Sequence, residues 1–240
     1  MYQLINVRQQ NITITKMTFL YNFSILAYTT LVKFAALFNP KAKLWVNGRK
    51  NQWQKINQMF CNNNAPVAWF HVSSLGEFEQ GRPVIEAFKK QNPGYKIALS
   101  FFSPSGYEIR KNYPNADFIF YLPVDNKKNA KKLINTIKPK IAYFVKYDYW
   151  YHYLKTLKAN NINTYIFSSI FRPQQLFFKP YGKWYKNLLK YFTHIFVQDN
   201  ESLVLLSKIN ITNVTVAGDT RYDRVVEITK NAANLPIVEN

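Results

Sequence analysis

Ala68-Trp69-Phe70-His71-Val72-Ser73-Ser74-Leu75-Gly76-Glu77-Phe78-Glu79-Gln80-Gly81-Arg82 is the stretch that decides the fold. The apolar, aromatic-rich run from Val67 to Val72 reads as a buried strand, and Ser73-Ser74-Leu75-Gly76 as a tight exit from it. Pro83-Val84-Ile85-Glu86-Ala87-Phe88 then continues as an amphipathic helix. Glu77 therefore falls where the C-terminal end of a strand meets a helix start, the usual ligand crevice of an open α/β sheet. A carboxylate there can take a proton from a bound hydroxyl. The spacing Ser74-x-x-Glu77 also fits a capping box, in which the glutamate bonds back to the backbone and the helix dipole makes it a weaker base. Spacing alone leaves both readings open.

Outward from this unit the chain alternates. Apolar strand candidates lie at 66–72, 95–102, 117–122, 140–146, 162–168, 193–198 and 213–217, and helical candidates at 77–91, 105–112, 126–138, 149–159, 178–192, 199–208 and 221–230. This rhythm predicts an α/β fold, a Rossmann-like parallel sheet with helices on both faces. A second strand-to-helix turn, Ser103-Pro104-Ser105-Gly106-Tyr107-Glu108, repeats the Ser-x-x-Glu logic. Backbone amides at such helix starts attract anions, and plain capping explains the same residues. No Gly-x-Gly-x-x-Gly or Walker-type loop occurs, and Asp199-Asn200-Glu201 reads as a helix cap rather than a metal-diphosphate ligand pair.

At 240 residues, 48% hydrophobic and 17% aromatic, the chain can build one large α/β core and is not disordered. The single cysteine, Cys61, excludes an internal disulfide framework and a cysteine-based zinc site, as expected for a reducing compartment. A net charge of +19 points to an anionic partner: nucleic acid, acidic lipid headgroups or a phosphorylated substrate. Residues 1–16 read as a polar extension without helical period. Residues 17–50 read as a hydrophobic membrane-associated helix, largely apolar from Phe19 to Phe38, with a basic flank at Lys41, Lys43, Arg49 and Lys50. Between Phe171 and Phe192 rings interleave with cations, which suits either a membrane-facing surface or an ordinary helix packing on the sheet.

His71-Val72-Ser73-Ser74-Leu75-Gly76-Glu77 resembles the His-x-x-Ser-x-Gly-Glu signature of the bacterial 3-deoxy-D-manno-octulosonic acid (Kdo) transferases of lipopolysaccharide biosynthesis. Four further stretches resemble the family's motifs in the same order: Phe102–Tyr107, Tyr121–Asp125, Val197–Asp199 and Gly218–Asp223. The hydrophobic helix followed by Trp45-x-x-Gly48-Arg49-Lys50 also belongs to the pattern. The resemblance implies the N-terminal, acceptor-binding half of a GT-B glycosyltransferase that transfers Kdo from CMP-Kdo to the lipid A precursor, inverting and without a metal or other cofactor. It implies Glu77 as the general base, with substrate contacts at Ser74, Gly76, Arg82, Ser103, Ser105, Gly106, Asp148, Arg172 and Arg221.

The expected organisation is thus an acceptor domain over 51–222 and the start of an interdomain linker over 223–240. The donor domain that would bind CMP-Kdo is expected to be missing, leaving the chain inactive alone. The expected partners are the phosphorylated lipid acceptor and the cytoplasmic face of the inner membrane, not nucleic acid. A non-catalytic basic membrane-associated binding protein or a nucleic-acid-binding module are the competing classes. Dispersed lysines, the lack of an RNP or helix-turn-helix pattern and the apolar N-terminus argue against the last. One departure bears on the site. Where the family commonly has Glu-Thr-Glu-Leu-Trp-Pro, this chain has Lys146-Tyr147-Asp148-Tyr149-Trp150-Tyr151, so Asp148 stands in for the second acid and the first has become a cation.

Overall fold

A computed structural model of the chain describes residues 2–221, with side chains from residue 15 onward. Seven parallel strands form one sheet: β1 (Val67–Val72), β2 (Lys96–Phe101), β3 (Phe118–Tyr121), β4 (Pro139–Val145), β5 (Asn163–Ser169), β6 (His194–Val197) and β7 (Val214–Val216), in the order β3-β2-β1-β4-β5-β6-β7. The order reverses between β1 and β4. That reversal opens the crevice of a doubly wound sheet above their C-terminal ends. The expected Rossmann-like layering is present.

The sheet is buried on both faces, and β1 shows why its sequence is apolar throughout. Alternate side chains point to opposite sides. Val67 and Trp69 join the cluster that holds Phe144, Tyr153 and Ile166, whereas Ala68, Phe70 and Val72 join the cluster of Phe78, Ile85 and Leu99. Trp69 and Phe70 have no exposed surface, and burying such side chains stabilises the fold by about 1.5–3 kcal/mol each.

Helices α4 (Leu75–Gln91), α5 (Pro104–Arg110), α6 (Lys127–Ile137), α7 (Tyr151–Ala159), α8 (Lys183–Leu189) and α9 (Asn200–Lys208) connect successive strands, most within a residue or two of the expected bounds. Two expectations need correction. The helix expected over 178–192 is broken into 3-10 turns at Leu176–Phe178 and Pro180–Gly182 before α8. Pro180 and Gly182 interrupt the ladder: a Cβ on Gly182 would lie 1.6 Å from the Leu176 carbonyl oxygen. The rings here turn inward, with Phe177, Trp184 and Phe192 buried and Tyr181 exposed, so this stretch is mainly core.

The second correction concerns the N-terminus. The described part of the expected 1–16 extension, from Tyr2 onward, is not separate or non-helical: α1 runs unbroken across Met17, from Tyr2 to Ala35. No Gly or Pro occurs within it, and once a helix is nucleated, propagation into a polar segment is cheap. After α1 the chain turns into α2 (Pro40–Gly48), capped by Asn39, and α3 (Gln52–Phe60), whose Ile56 and Phe60 enter the core. No single described helix is long and apolar enough to cross a membrane; Thr15–Ala35 and α2 meet that test together only as a pair bent by 119°. The helix expected over 221–230 and the linker expected over 223–240 lie outside the described residues, Arg221 excepted.

Candidate active site

Two loops meet at the point where the strand order reverses: Ser73–Glu77 after β1 and Lys146–Trp150 after β4. Ser74 has the extended backbone of a helix N-cap, but its hydroxyl does not accept from the helix amides. It donates to the Glu77 carboxylate instead. The capping box is therefore not formed, and the first amides of α4 have no side-chain cap. An uncapped helix start attracts negative charge. Glu77 is half-buried at the crevice mouth.

Asp148 lies beneath it. Ser73 Oγ donates to Asp148 Oδ1, while Oδ2 is buried without a hydrogen-bond partner. Burial first, and then the charge of Glu77, push the Asp148 carboxyl up to about 8 against the pull of the Ser73 hydrogen bond. The group is thus protonated at neutral pH, with a polar oxygen to spare.

His71 is fully buried, and desolvation lowers it to about 3, so the ring is neutral. Trp150 Nε1 donates to its Nε2 at 2.9 Å, which leaves the proton on Nδ1, facing Ser100 Oγ at 2.9 Å and the Ser100 carbonyl at 3.2 Å. Trp69 Nε1 donates to the same Ser100 hydroxyl at 2.8 Å. The 3.8 Å approach of His71 Nε2 to Asp148 Oδ2 joins two neutral groups and is no ion pair. His71 orients Trp150 and walls the crevice from below.

The turn after β2 packs directly on the first, as the strand order requires: Ser103 N donates to the Ser73 carbonyl at 2.7 Å. Gly106 permits this, because a Cβ there would lie 2.4 Å from the Phe101 ring and 3.0 Å from the Ser74 carbonyl carbon. Gly76 is different, since its Cβ would find only Ser74 Oγ at 3.7 Å. The Ser-x-x-Glu box expected at Ser105 is absent. Pro104 starts α5 one residue earlier, Ser103 is the cap, and Glu108 falls in the second turn, where it accepts from Tyr121 Oη and Lys111.

The remaining expected contacts are spread around the crevice. Arg82 is turned to Glu86, at 2.8 Å, which also accepts from Tyr113 and Asn115. Arg172, after β5, pairs with Asp199 at 3.2 Å and Glu201 at 3.5 Å; Asp199 caps α9 as expected. Arg221 pairs with Asp219, whose carboxylate also accepts from Gln80 on α4 at 3.3 Å. Thr220 Oγ1 donates to the Gln80 carbonyl at 2.7 Å and meets Ser168 Oγ at 2.8 Å. The Gly218–Arg221 loop is thereby fastened to the helix that carries Glu77, a link sequence reading missed because its partners lie 139 and 140 residues apart. Lys146, beside Asp148, adopts a left-handed φ of 62°. Cavities of about 620 and 470 Å³ lie at the opposite ends of the strands and contain no carboxylate among their described residues.

A sequence model of the family described as 3-deoxy-D-manno-octulosonic-acid transferase (kdotransferase) matches residues 48–224. Similar curated proteins include the 3-deoxy-D-manno-octulosonic acid transferase of Aquifex aeolicus, 31% identical over 104 residues, which is 41% of this chain and 29% of that protein. The enzyme of the same name from Chlamydia trachomatis is 26% identical over 105 residues, 43% of this chain and 24% of that protein. The chain thus spans about a quarter of the length of these relatives. Among solved structures, the UDP-GlcNAc 2-epimerase of Methanocaldococcus jannaschii superposes with a TM-score of 0.53 at 13% identity, covering 68% of this chain and 48% of that one. The Neisseria meningitidis UDP-GlcNAc 2-epimerase bound to UDP-GlcNAc gives 0.52 at 16%, covering 69% and 50%. At such identity the likeness is one of fold.

Proposed function

The chain belongs to the 3-deoxy-D-manno-octulosonic-acid transferase family, and from that premise we propose that it forms the acceptor side of a GT-B glycosyltransferase moving Kdo from CMP-Kdo to the lipid A precursor. Glu77 is the general base. It takes the proton of the acceptor hydroxyl as that oxygen bonds to the anomeric carbon of Kdo from the face opposite CMP. The bond to the phosphate oxygen breaks, its electron pair leaves with CMP, and the configuration inverts. CMP departs as a stabilised phosphate anion, so the step calls for neither metal nor cofactor.

The observation that carries this reading is the state of the Glu77 carboxylate. It stands at the reversal of the sheet, held by the Ser74 hydroxyl rather than spent on the helix backbone. Asp148, neutral beneath it, adds no second negative charge at neutral pH and offers its free oxygen to the acceptor. Gly76 keeps the helix start open to a close ligand. Ser103, Ser105 and Gly106 shape the neighbouring wall, and Arg82, Arg172 and Arg221 are assigned to anionic groups of the substrates, each by exchange with its present carboxylate partner. Donor binding and transfer are assigned to the complete enzyme, with these 240 residues alone binding acceptor and not transferring sugar. Glu77→Gln in the complete enzyme should keep acceptor binding and lower Kdo transfer about a hundredfold or more. Turnover near wild type rejects Glu77 as the base and leaves a non-catalytic lipid-binding role.

We place the protein at the cytoplasmic face of the inner membrane, lying in the interface rather than spanning it. Thr18, Tyr21 and Tyr28 of α1 all contact the domain, through Tyr151, Asp125 and Phe102 respectively, so this flank is not free for lipid. The other flank exposes Phe19, Phe23, Leu26 and Phe34, and Phe38 in the turn after it is exposed too, the arrangement of an interfacial helix.

A further inference from the structure

Arg49, which ends α2, is a half-buried cation with no carboxylate beside it among the described residues. Its Nη2 donates to the carbonyls of Phe102 at 2.8 Å and Leu122 at 3.1 Å, and its Nη1 to that of Trp45 at 3.2 Å. The guanidinium stacks 3.9 Å from the Trp45 ring centre. Burial lowers Arg49 to about 9, so it keeps its charge at neutral pH. A cation withdrawn from water without a counter-ion is costly even with its N–H groups bonded to carbonyls, and an anion beside it would offset that cost.

The surroundings say which kind. Arg49 lines a cavity of about 410 Å³ together with Lys33 of α1, Lys50, Thr29 and Trp45, within the range of small-ligand pockets, about 300–1,000 Å³. No acidic residue lines it, and neither lysine has an acidic partner among the described residues. Trp45 is only 6% exposed, and its indole Nε1 is a buried donor without an acceptor. From the Lys33 side, α1 and its end continue into exposed Leu31, Phe34, Leu37 and Phe38, 65–79% accessible. Three cations and a spare donor beside an apolar ridge match a molecule that is anionic at one end and hydrocarbon at the other.

We propose that this cavity is a headgroup site for an anionic glycerophospholipid of the bilayer, its phosphate among Lys33, Arg49 and Lys50 and its acyl chains along the Leu31–Phe38 ridge. The cavity is lined chiefly from α1 and α2 and shares none of its lining residues with the Ser73–Glu77 and Lys146–Trp150 loops, though Arg49 reaches the Phe102 carbonyl beside the crevice wall. The site rests on the interfacial reading above. It would fix the depth and rotation of the protein on the membrane.

Sedimentation of the full chain with phosphatidylcholine vesicles, with and without phosphatidylglycerol, tests the proposal. The wild type should prefer the anionic vesicles, and Lys33→Gln and Lys50→Gln should each weaken binding to them about fivefold. Trp45→Phe should weaken that binding too, while all three leave phosphatidylcholine binding unchanged. Lys138→Gln and Lys140→Gln, at the N-terminal end of the central strand β4 and outside this cavity, should change little. Equal losses from these remote lysines would show diffuse attraction and overturn the site. Binding to neither vesicle would reject the interfacial reading itself, whereas binding to both without preference rejects only the headgroup site. Calorimetric binding of glycerol 3-phosphate by a wild type that ignores vesicles would assign the cavity to a soluble phosphate and overturn the lipid.

Discussion

Asp148 keeps its proton at neutral pH because burial outweighs the Ser73 and Trp150 contacts that favour its ionised form. The unfolded chain gives up that proton near pH 4, whereas the folded chain holds it up to about pH 8. Above pH 4 this one site thus binds more proton in the native state than in the unfolded state, and the Asp148 contribution to stability falls as pH rises through this window. Asp148→Asn removes the titration. Thermal unfolding should show the variant gaining on wild type at pH 8.5 relative to pH 5; parallel pH profiles would place the Asp148 proton elsewhere. His71, lowered to about 3 by the same burial, acts in the opposite sense. Below the unfolded imidazole's value near 6.5 the unfolded chain binds the extra proton, so this contribution rises with pH up to about 6.5 and is the same in both proteins compared.

At the scale of elements, two glycines at the crevice do different work. Gly106 lets α5 lie against the β1 exit, so Gly106→Ala must push the Phe101 ring or the Ser74 backbone and should cost about 1–3 kcal/mol. Gly76 sits exposed in the first turn of α4 with room for a methyl group. Gly76→Ala should leave the melting temperature unchanged or raise it, since alanine is the better helix former, while weakening acceptor binding. Melting curves and acceptor titrations on the two variants separate packing from ligand approach. If Gly76→Ala binds acceptor as wild type does, the helix start is not a contact surface. The uncapped start of α4 itself follows from Ser74 turning to Glu77, a choice between two local partners that spacing does not decide.

At the scale of the whole molecule, α1 is joined to the domain by a polar clasp. Tyr21 Oη donates to the buried Asp125 at 2.5 Å, and Asn22 Oδ1 meets His152 Nε2 at 2.7 Å. Asp125 also accepts from the amides of His152 and Tyr153, and burial still pushes it up to about 6. Tyr21→Phe leaves this carboxylate short of a donor and should cost about 1–3 kcal/mol of stability by thermal unfolding at pH 7. A cost near zero would show that α1 docks by its rings alone, through Tyr21 on Tyr151 and Trp184. Replacing Phe19, Phe23 and Leu26 together by Ser touches only the exposed face. It should release the protein from vesicles without loss of stability; retained sedimentation in low and high salt would move the anchor off α1.

The sequence by itself determined the alternation of strands and helices, the placing of Glu77 at a strand exit and the family, because each is written in residues a few positions apart. Hydrophobic runs, turn residues and a seven-residue signature are local facts. Tertiary structure alone decided that the loop after β4 faces the loop after β1, since strand order is set by long-range packing. It alone made Asp148 a neutral acid, His71 a buried strut and Gln80 the anchor of a loop about 140 residues away. Burial and charge proximity depend on which elements share a surface. No spacing along the chain encodes that.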